Sequence, residues 1–435
     1  MNRGVRGRRI CTRVCTAIPR VGSSGVTASS PGAAGLLLTL AFTTAACGRA
    51  DSTDSWDGTT IDSAGIAIVQ NGEYGVWGGT PEWSLHEVLR IGNELDPDYQ
   101  FGNIGGIAPL SDGRLVVLDQ QAQNLRVYDA AGRFVATFAS RGSGPGELDG
   151  ATTVLSGPAD TTYVSGWGGV DIFAPDGESV GSYGLDRLWG RPDFWATTPS
   201  GRLFHLKKPS MPGQPRADSL DSIIELGSEG IAIDTLFRMP PGEGVTFAPS
   251  GRVLLRMYAR EPIWQPYGDD GFLLGWNDEY TIYHYGTDGS LLRIIRKPLE
   301  RREVSPTDES VVTEVLSRAW SALGMPPQGV EWYKDGLSFE PYFPAFSRVL
   351  VGPEGTVWVQ HLLAPSQLTA EGHKPTYPYV EIGSDEWAVF DADGRFMGSI
   401  DFPRNYEPLL FRESRVYGIW RDELDIQHVV VLSVE

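Results

Sequence analysis

The chain has 435 residues, of which 41% are hydrophobic and 11% aromatic, so it can bury a sizeable core and is not typical of a disordered protein. Its 36 basic and 55 acidic residues give a net charge of -19. This charge argues against nucleic-acid binding, because phosphate contacts need clustered Lys and Arg. With only 3 cysteines, a disulfide-rich scaffold is excluded as well.

The N-terminal segment, residues 1–47, has the layout of an export signal. A basic stretch without acidic residues is followed by an apolar run over residues 32–42 and then by small residues before Cys47. The apolar run is too short to span a bilayer. Cys47 in this setting resembles the acylated cysteine of a bacterial lipoprotein, which implies a lipid anchor in the cell envelope. Thr44 stands where that signal usually has Leu, so simple secretion is the alternative.

Two regions follow the signal. Residues 48–64 are rich in Asp, Ser, Thr and Gly and have no apolar period, which predicts a flexible tether. Residues 65–435 are predicted to form the folded domain.

The dominant pattern in this domain is an internal repeat, in which a tight glycine turn separates two β-rich runs. Runs such as residues 115–118 and 357–359 are apolar on both sides, which indicates sheets packed on both faces. Each turn supplies a glycine where a hairpin needs a positive φ. The turn glycines are Gly113, Gly132, Gly177, Gly201, Gly251, Gly289, Gly355 and Gly394.

Grouping the hairpins in pairs predicts six four-stranded units. The units are residues 101–140, 151–185, 194–238, 245–297, 345–402 and a last one from about 408. The last unit has only three strands, and residues 83–91 form an unpaired strand before the first unit. We therefore expect this N-terminal strand to complete the last unit and close a ring without exposed sheet edges. The prediction is an all-β, six-bladed β-propeller of four-stranded antiparallel blades, in which the strand at residues 65–69 has no assigned place.

Residues 101–148 resemble an NHL-type repeat of the six-bladed β-propeller superfamily. The resemblance rests on Gly106-Ile107-Ala108, Asp112-Gly113, Val116-Val117, Asp119, Asn124, Arg126-Val127-Tyr128-Asp129, Gly132, Phe134, Phe138 and Arg141-Gly142-Ser143-Gly144-Pro145-Gly146-Glu147. The whole chain resembles exported six-bladed propeller proteins of bacteria, although the match is tight over about one blade. The resemblance implies that Asp119 and Arg126 brace the blade.

Long connections are predicted on only one face of the propeller. Because successive strands are antiparallel, the first-to-second and third-to-fourth turns share one face, while the second-to-third and blade-to-blade connections share the other. All the tight glycine turns are assigned to the first face. The long segments, residues 207–219, 258–280, 298–345 and 362–385, are assigned to the second, which we call the elaborated face. Loops of this length are typically functional or disordered. Their aromatic residues favour order: Trp264, Tyr267, Trp276, Trp332, Tyr333, Tyr377 and Tyr379.

One long connection, between blades four and five, contains a predicted helix. Ser305 is the N-cap, Pro306 occupies the first helical position and Asp308 completes a capping box. An apolar stripe runs from Val311 to Leu323, and the helix ends at Gly324. We expect this helix to act as a lid or buttress on the elaborated face.

Candidate ligand-binding residues lie at strand ends and in loops of the elaborated face. Aligning the second strands on their glycine turns places six side chains at one level, either around the channel mouth or merely at strand ends: Asp119, Trp167, Lys207, Met257, His361 and Trp420. We add the loop aromatics Trp264, Tyr267 and Trp276. Such residues can anchor a loop, contact a ligand or do both.

The favoured function is a cell-envelope binding or scaffold module that presents this aromatic face to a peptide, glycan or protein partner. No cofactor is predicted for it, and the net charge favours a neutral or basic partner. The alternative is a metal-dependent lyase or hydrolase, similar to the lactonase or amidating-lyase propellers that hold an axial metal. His205 and His361 are its candidate ligands for a divalent metal. No H-x-x-H, H-E-x-x-H or G-x-S-x-G motif occurs, so no catalytic residue is assigned.

Overall fold

The computed structural model describes residues 56–166, 169–184, 195–208, 220–227, 231–322, 324–370 and 383–435. The predictions for the export signal, Cys47, Trp167, Tyr377 and Tyr379 lie outside these residues. The described part is mostly β, and it is built from antiparallel sheets of four strands that repeat along the chain.

Three strands precede the repeated sheets: β1 (Thr59–Ser63), β2 (Ile66–Gln70) and β3 (Leu85–Ile91). The first three sheets then follow in chain order. Sheet 1 consists of β4 (Ile104–Pro109), β5 (Leu115–Asp119), β6 (Asn124–Tyr128) and β7 (Phe134–Phe138). A short pair, β8 (Ser140–Arg141) and β9 (Glu147–Leu148), leads to sheet 2, with β10 (Ala151–Ser156), β11 (Thr162–Gly166), β12 (Gly169–Phe173) and β13 (Ser179–Gly184). Sheet 3 has β14 (Trp195–Thr197), β15 (Leu203–Lys207), β16 (Asp221–Leu226) and β17 (Ala232–Met239).

The second half of the chain contains three more sheets and an inserted set of helices and strands. A hairpin of β18 (Val245–Phe247) and β19 (Val253–Met257) precedes sheet 4, which has β20 (Pro262–Tyr267), β21 (Gly271–Trp276), β22 (Thr281–Gly286) and β23 (Leu291–Arg296). Then come α1 (Pro306–Ala322), α2 (Pro327–Lys334) and β24 (Leu337–Phe339). Sheet 5 has β25 (Arg348–Val351), β26 (Val357–Leu362), β27 (Gly383–Phe390) and β28 (Phe396–Asp401), with α3 (Pro365–Ala370) after β26. Sheet 6 starts with β29 (Tyr406–Arg412), β30 (Arg415–Arg421) and β31 (Gln427–Val434).

The N-terminal strands extend two of these sheets. β3 pairs antiparallel with β31, from Leu85 opposite Val434 to Ile91 opposite Val429, and so becomes the fourth strand of sheet 6. The strand that had no place in the sequence analysis is β2, which pairs in parallel with β23 at the outer edge of sheet 4. The predicted pairing of the N-terminal strand with the last sheet is thus observed.

The first strands of consecutive sheets contact one another in the order β4, β10, β14, β20, β25 and β29, and β29 contacts β4 in turn. Buried apolar clusters fill the spaces between neighbouring sheets. Trp358 and Trp387 between sheets 5 and 6, for example, are fully buried. Strands packed on both faces need apolar residues on both sides, which explains the continuous apolar runs in the sequence. The fold is a propeller-type all-β fold.

All eight predicted turn glycines have a positive φ. In the first turn, for example, the Gly113 N–H donates a hydrogen bond to the Leu110 carbonyl, and φ at Gly113 is +87°. Seven of these turns join the first and second or the third and fourth strands of a repeated sheet. The exception is the turn at Gly251, which joins β18 to β19.

Sheet 4 corrects the predicted fourth unit. Its strands span residues 262–296 rather than 245–297, and the predicted loop at 258–280 contains β20 and β21. The Gly251 hairpin was grouped with the turn at Gly289, so the residues between them were assigned to a loop. In the described structure β20 is an edge strand that pairs only with β21, which allows it to contain Pro262 and Pro266.

The β18–β19 hairpin belongs to a separate structure that we call the cap module: β18, β19, β24, α1, α2 and α3. β24 pairs in parallel with β19, with Leu337 opposite Leu255, although the two strands are distant in the chain. The cap module has its own apolar core, which includes Tyr258, Val312, Val315, Leu316, Trp320, Val330 and Phe343. It is formed by the connections from sheet 3 to sheet 4 and from sheet 4 to sheet 5 and by the segment after β26, so it lies on the elaborated face.

Helix α1 begins as predicted. The Ser305 N–H donates to Oδ2 of Asp308 at 3.0 Å, and the Asp308 N–H donates back to Ser305 Oγ at 3.2 Å. This reciprocal pair satisfies two donors at the helix start. The sequence analysis missed α2 and α3, which are short and lack a full apolar stripe.

Candidate functional site

A cleft of about 340 Å³ opens on the elaborated face between sheets 3 and 4. Most of its lining is aromatic or apolar, so we call it the aromatic groove. Its lining residues are Phe237, Arg238, Met239, Pro240, Arg260, Leu274, Trp276, Tyr283 and Tyr285. Of the residues predicted from sequence, only Trp276 lines this groove.

Strand alternation explains why sheet 4 presents these side chains together. Leu274 and Trp276 are two residues apart on β21, so both point to the same side of the sheet. Tyr283 and Tyr285 are likewise two apart on β22, and Tyr283 lies opposite Leu274. Tyr285 stacks on Phe272 with ring centroids 5.4 Å apart. The alternating pair of tyrosines is therefore the sequence signal for this wall, whereas the predicted candidates came only from loops and strand ends.

Sheet 3 supplies the other wall of the groove through its outer strand, β17. The Phe237 ring lies 4.6 Å from that of Tyr285, between centroids. Met239 is buried, whereas Arg238 is exposed to solvent. This wall could not be predicted, because it depends on how two consecutive sheets pack.

One guanidinium group, that of Arg260, lies in the groove. The Arg260 guanidinium lies 3.6 Å from the centroid of the Trp276 ring, a cation–π contact. Its Nε also forms an ion pair with Asp278 Oδ1 at 3.2 Å. Arg238 borders the groove as well, but it alternates with Phe237 and Met239 along β17, so its side chain points to the opposite face of sheet 3. Among the described residues that line the groove, none carries a carboxylate.

A second polar feature lies where the first strands begin. Gln427 Nε2 donates to Asn103 Oδ1 at 3.2 Å, and Asn103 Nδ2 donates to Gln120 Oε1 at 2.8 Å. Gln120 in turn donates to the Thr152 carbonyl. These bonds join sheets 6, 1 and 2 in sequence. They use the amides for contacts between sheets, which favours a bracing role.

Asp119, a predicted candidate, has its carboxylate enclosed by donors. It is 1% exposed and accepts hydrogen bonds from the backbone N–H groups of Gly102 and Ala122, each at 3.0 Å. Arg126 lies 3.4 Å away. This geometry matches the bracing role implied by the NHL resemblance and leaves no carboxylate surface for a ligand.

Trp264 and Tyr267 lie on β20 rather than in a loop. Trp264 is 7% exposed and belongs to the core between sheets 3 and 4. The Tyr267 hydroxyl donates to the Gly355 carbonyl at 2.7 Å, so it ties sheet 4 to sheet 5. Met257 was aligned with the ends of the second strands, but it lies in the cap module. The residue at the end of the second strand of sheet 4 is Trp276.

The remaining candidates are separated from the groove. Trp420 donates its indole N–H to the Arg404 carbonyl at 3.1 Å, and the Arg90 guanidinium covers its ring at 4.2 Å. Lys207 is exposed at the end of β15. Neither Trp420 nor Lys207 is among the residues that line the groove.

His361 and His205, the metal candidates, each lie beside an aromatic ring. His361 Nε2 is 3.2 Å from the Tyr280 hydroxyl, and burial together with the positive charges of Arg302 and Lys297 lowers the pKa of His361 to about 4. His205 is fully buried in sheet 3, and its ring centroid is 4.2 Å from that of Trp195. Within the described ranges, no group of three or more His, Cys, Asp and Glu side chains is arranged to hold a metal ion.

No known protein-family model matches the chain, and no curated protein matches its sequence. Among solved structures, the chain is similar to virginiamycin B lyase from Staphylococcus aureus, with 10% identity and a TM-score of 0.42 over 81% of this chain and 99% of that one. It is also similar to a protein from Bacteroides fragilis that is named a putative exported protein, with 12% identity and a TM-score of 0.49. The match covers 85% of this chain and 99% of that one. A member of the DUF4221 family from Bacteroides vulgatus is similar as well, with 11% identity and a TM-score of 0.47. The match covers 81% of this chain and 98% of that one. These likenesses concern the fold alone.

Among the described residues, no helix is both long enough and apolar enough to cross a membrane.

Proposed function

We propose that this protein is a cell-envelope binding module, exported and anchored through Cys47, whose ligand site is the aromatic groove on the elaborated face. In this proposal the six sheets are the blades of a propeller with NHL-like repeats, and β3 closes the ring. The cyclic contacts of the first strands and the pairing of β3 with β31 support this architecture. The Asp119–Arg126 contact supports the NHL-like assignment of the first blade.

The aromatic groove is the observation that carries the functional proposal. Binding sites are typically concave and mostly apolar, with a few polar groups that fix orientation. Here half-buried aromatic rings line a cleft beside the guanidinium group of Arg260. The groove also lies on the face that carries the cap module, which is formed by the long connections of the chain.

A ligand screen with groove variants tests this function. The wild-type protein is screened by saturation-transfer NMR against short peptides, cell-wall oligosaccharides and small aromatic acids. We expect at least one compound to bind, to lose binding in Trp276→Ala, and to keep it in Trp332→Ala. Trp332 is a matched control, because it is 41% exposed on α2 and does not line the groove.

Two outcomes would contradict the proposal. One is that every binder is retained by a folded Trp276→Ala variant, and the other is that no class of compound binds. Thermal unfolding of each variant checks that the fold survives. Because loss of Trp276 removes packing as well as a surface, Tyr283→Ala serves as a second groove variant.

A further inference from the structure

We propose that the aromatic groove binds a proline-rich peptide in the polyproline II conformation. This inference rests on the proposed function, because it takes the groove as the ligand site and adds the chemical class of the ligand. The class follows from the hydrogen-bonding groups in the groove, from its charge and from the spacing of its rings.

The side chains in the groove offer hydrogen-bond donors that have no partner. The indole N–H of Trp276 and the hydroxyls of Tyr283 and Tyr285 make no hydrogen bond with any residue that the structure describes. The Arg260 Nε donates to Asp278 Oδ1 at 3.2 Å, whereas its two terminal nitrogens have no partner among the described residues. Burial raises the pKa of Tyr285, so its hydroxyl is protonated at neutral pH and can donate.

Acceptors are scarce in the same space. Among the described side chains that line the groove, the two tyrosine oxygens are the only strong acceptors. A ligand with many acceptors and few donors therefore fits best, because each donor left unpaired costs free energy on leaving water. A proline-rich peptide has this property, since proline has a carbonyl group but no backbone N–H. A saccharide hydroxyl can accept from the same donors, but it brings a hydrogen for which the groove has few acceptors.

The charge of the groove favours a neutral ligand with exposed carbonyl groups. Asp278, at 3.2 Å, balances the charge of Arg260. The polar hydrogens in the groove carry partial positive charge, which complements the partial negative charge of carbonyl oxygens. In a polyproline II helix these oxygens make no internal hydrogen bonds, so they can accept from the groove. The net charge of -19 on the whole chain would also attract basic residues that flank the prolines.

The spacing of the rings fits this helix. Tyr283 and Tyr285 alternate along β22, and their ring centroids are 6.2 Å apart. A polyproline II helix rises about 3.1 Å per residue, so two of its residues span about the same distance. The Phe237 ring extends this surface, with its centroid 4.6 Å from that of Tyr285. Grooves lined by aromatic residues suit proline-rich segments, because the preformed helix loses little conformational entropy on binding.

The test follows the Trp276 indole N–H by NMR during titration with three probes. The full-length chain, purified in its processed form and isotope-labelled in its tryptophan indole nitrogens, is titrated with acetylated hexaproline amide, a Gly-Ser peptide of equal length and cellohexaose. The Trp276→Phe variant identifies the Trp276 signal. We expect hexaproline to shift this signal and to bind at least about tenfold more tightly than the Gly-Ser peptide, whose N–H groups lack acceptors in the groove.

Conservative variants separate the donors from the rings. Tyr283→Phe and Tyr285→Phe each keep the ring and remove the hydroxyl. Each should weaken hexaproline binding about fivefold, which is the value expected for one hydrogen bond. Tyr74→Phe is the matched control, because Tyr74 is 65% exposed and does not line the groove.

Competition from within the chain is controlled as well. Pro209, Pro212 and Pro215, which lie outside the described residues, have the threefold spacing of a polyproline II ligand. A variant with Pro209→Ala, Pro212→Ala and Pro215→Ala is therefore titrated in parallel. Absence of hexaproline binding to both the wild type and this variant would overturn the inference.

The outcomes separate this inference from the proposed function. Trp276-dependent binding of cellohexaose or of the Gly-Ser peptide, with hexaproline binding no more tightly, would overturn the proline-rich class while leaving the groove as a binding site. Unchanged hexaproline affinity in both Tyr283→Phe and Tyr285→Phe would overturn the donor assignment and this inference with it. If a folded Trp276→Ala variant keeps wild-type affinity for hexaproline and for every other compound that binds, the inference and the proposed function fail together.

Discussion

His361 predicts a specific loss of stability on mild acidification. Its ring lies 3.2 Å from the Tyr280 hydroxyl, and its pKa is about 4 in the folded protein, against an ordinary value of 6.5. As the pH falls below 6.5, the unfolded chain takes up a proton that folded His361 resists, so the free energy of unfolding decreases. One pKa unit corresponds to about 1.4 kcal/mol, so His361 alone should cost about 2 kcal/mol between pH 7 and pH 5, and about 3 kcal/mol below pH 4.

The test is urea denaturation from pH 7 to pH 5 in the wild type and in His361→Gln. Glutamine can keep a hydrogen bond to Tyr280 but does not titrate, so the variant should lose about 2 kcal/mol less than the wild type over this range. Parallel pH profiles of the wild type and His361→Gln would refute the reasoning.

Three further changes probe the fold. The double variant Leu85→Cys, Val434→Cys is made in the cysteine-free chain Thr53–Glu435. It should form a disulfide between β3 and β31 and raise the free energy of unfolding by roughly 5 kcal/mol at most. A folded protein without this crosslink would contradict the pairing. Ser305→Ala should cost about 1 kcal/mol and increase hydrogen exchange in the first turn of α1, and unchanged exchange would argue against the capping box. Gly113→Ala should cost about 1–2 kcal/mol in urea denaturation, because φ is +87° and the added Cβ would lie 3.0 Å from that of Ala130; an unchanged midpoint would contradict this turn geometry.

Much of the sheet architecture was predictable from local patterns. Turn glycines with positive φ mark hairpins whatever their partners, so the predicted unit at residues 151–185 agrees closely with sheet 2, which spans Ala151 to Gly184. The leftover strand at residues 83–91 agrees with β3, because a three-stranded last unit requires a fourth strand. The helix start was predictable for the same reason, since a capping box depends on residues three positions apart.

Long-range pairing was not predictable from these patterns. Gly251 looks like every other turn glycine, yet its hairpin leaves the repeat because β19 pairs with β24 from a later connection. Grouping this hairpin with the turn at Gly289 assigned β20 and β21 to a loop. The aromatic groove depends on the approach of β17 to β22, so only Trp276 among its residues was selected in advance.

The most direct test of the central claim, that ligands bind at the aromatic groove on the elaborated face, is the hydrogen-exchange footprint of a bound ligand. A compound that binds the wild-type protein is added at saturation, and exchange is compared with that of the free protein. The account predicts slower exchange at the end of β17 and around β21 and β22, with no change at the glycine turns such as 111–114. Slower exchange at the glycine-turn face, with the groove unchanged, would contradict it.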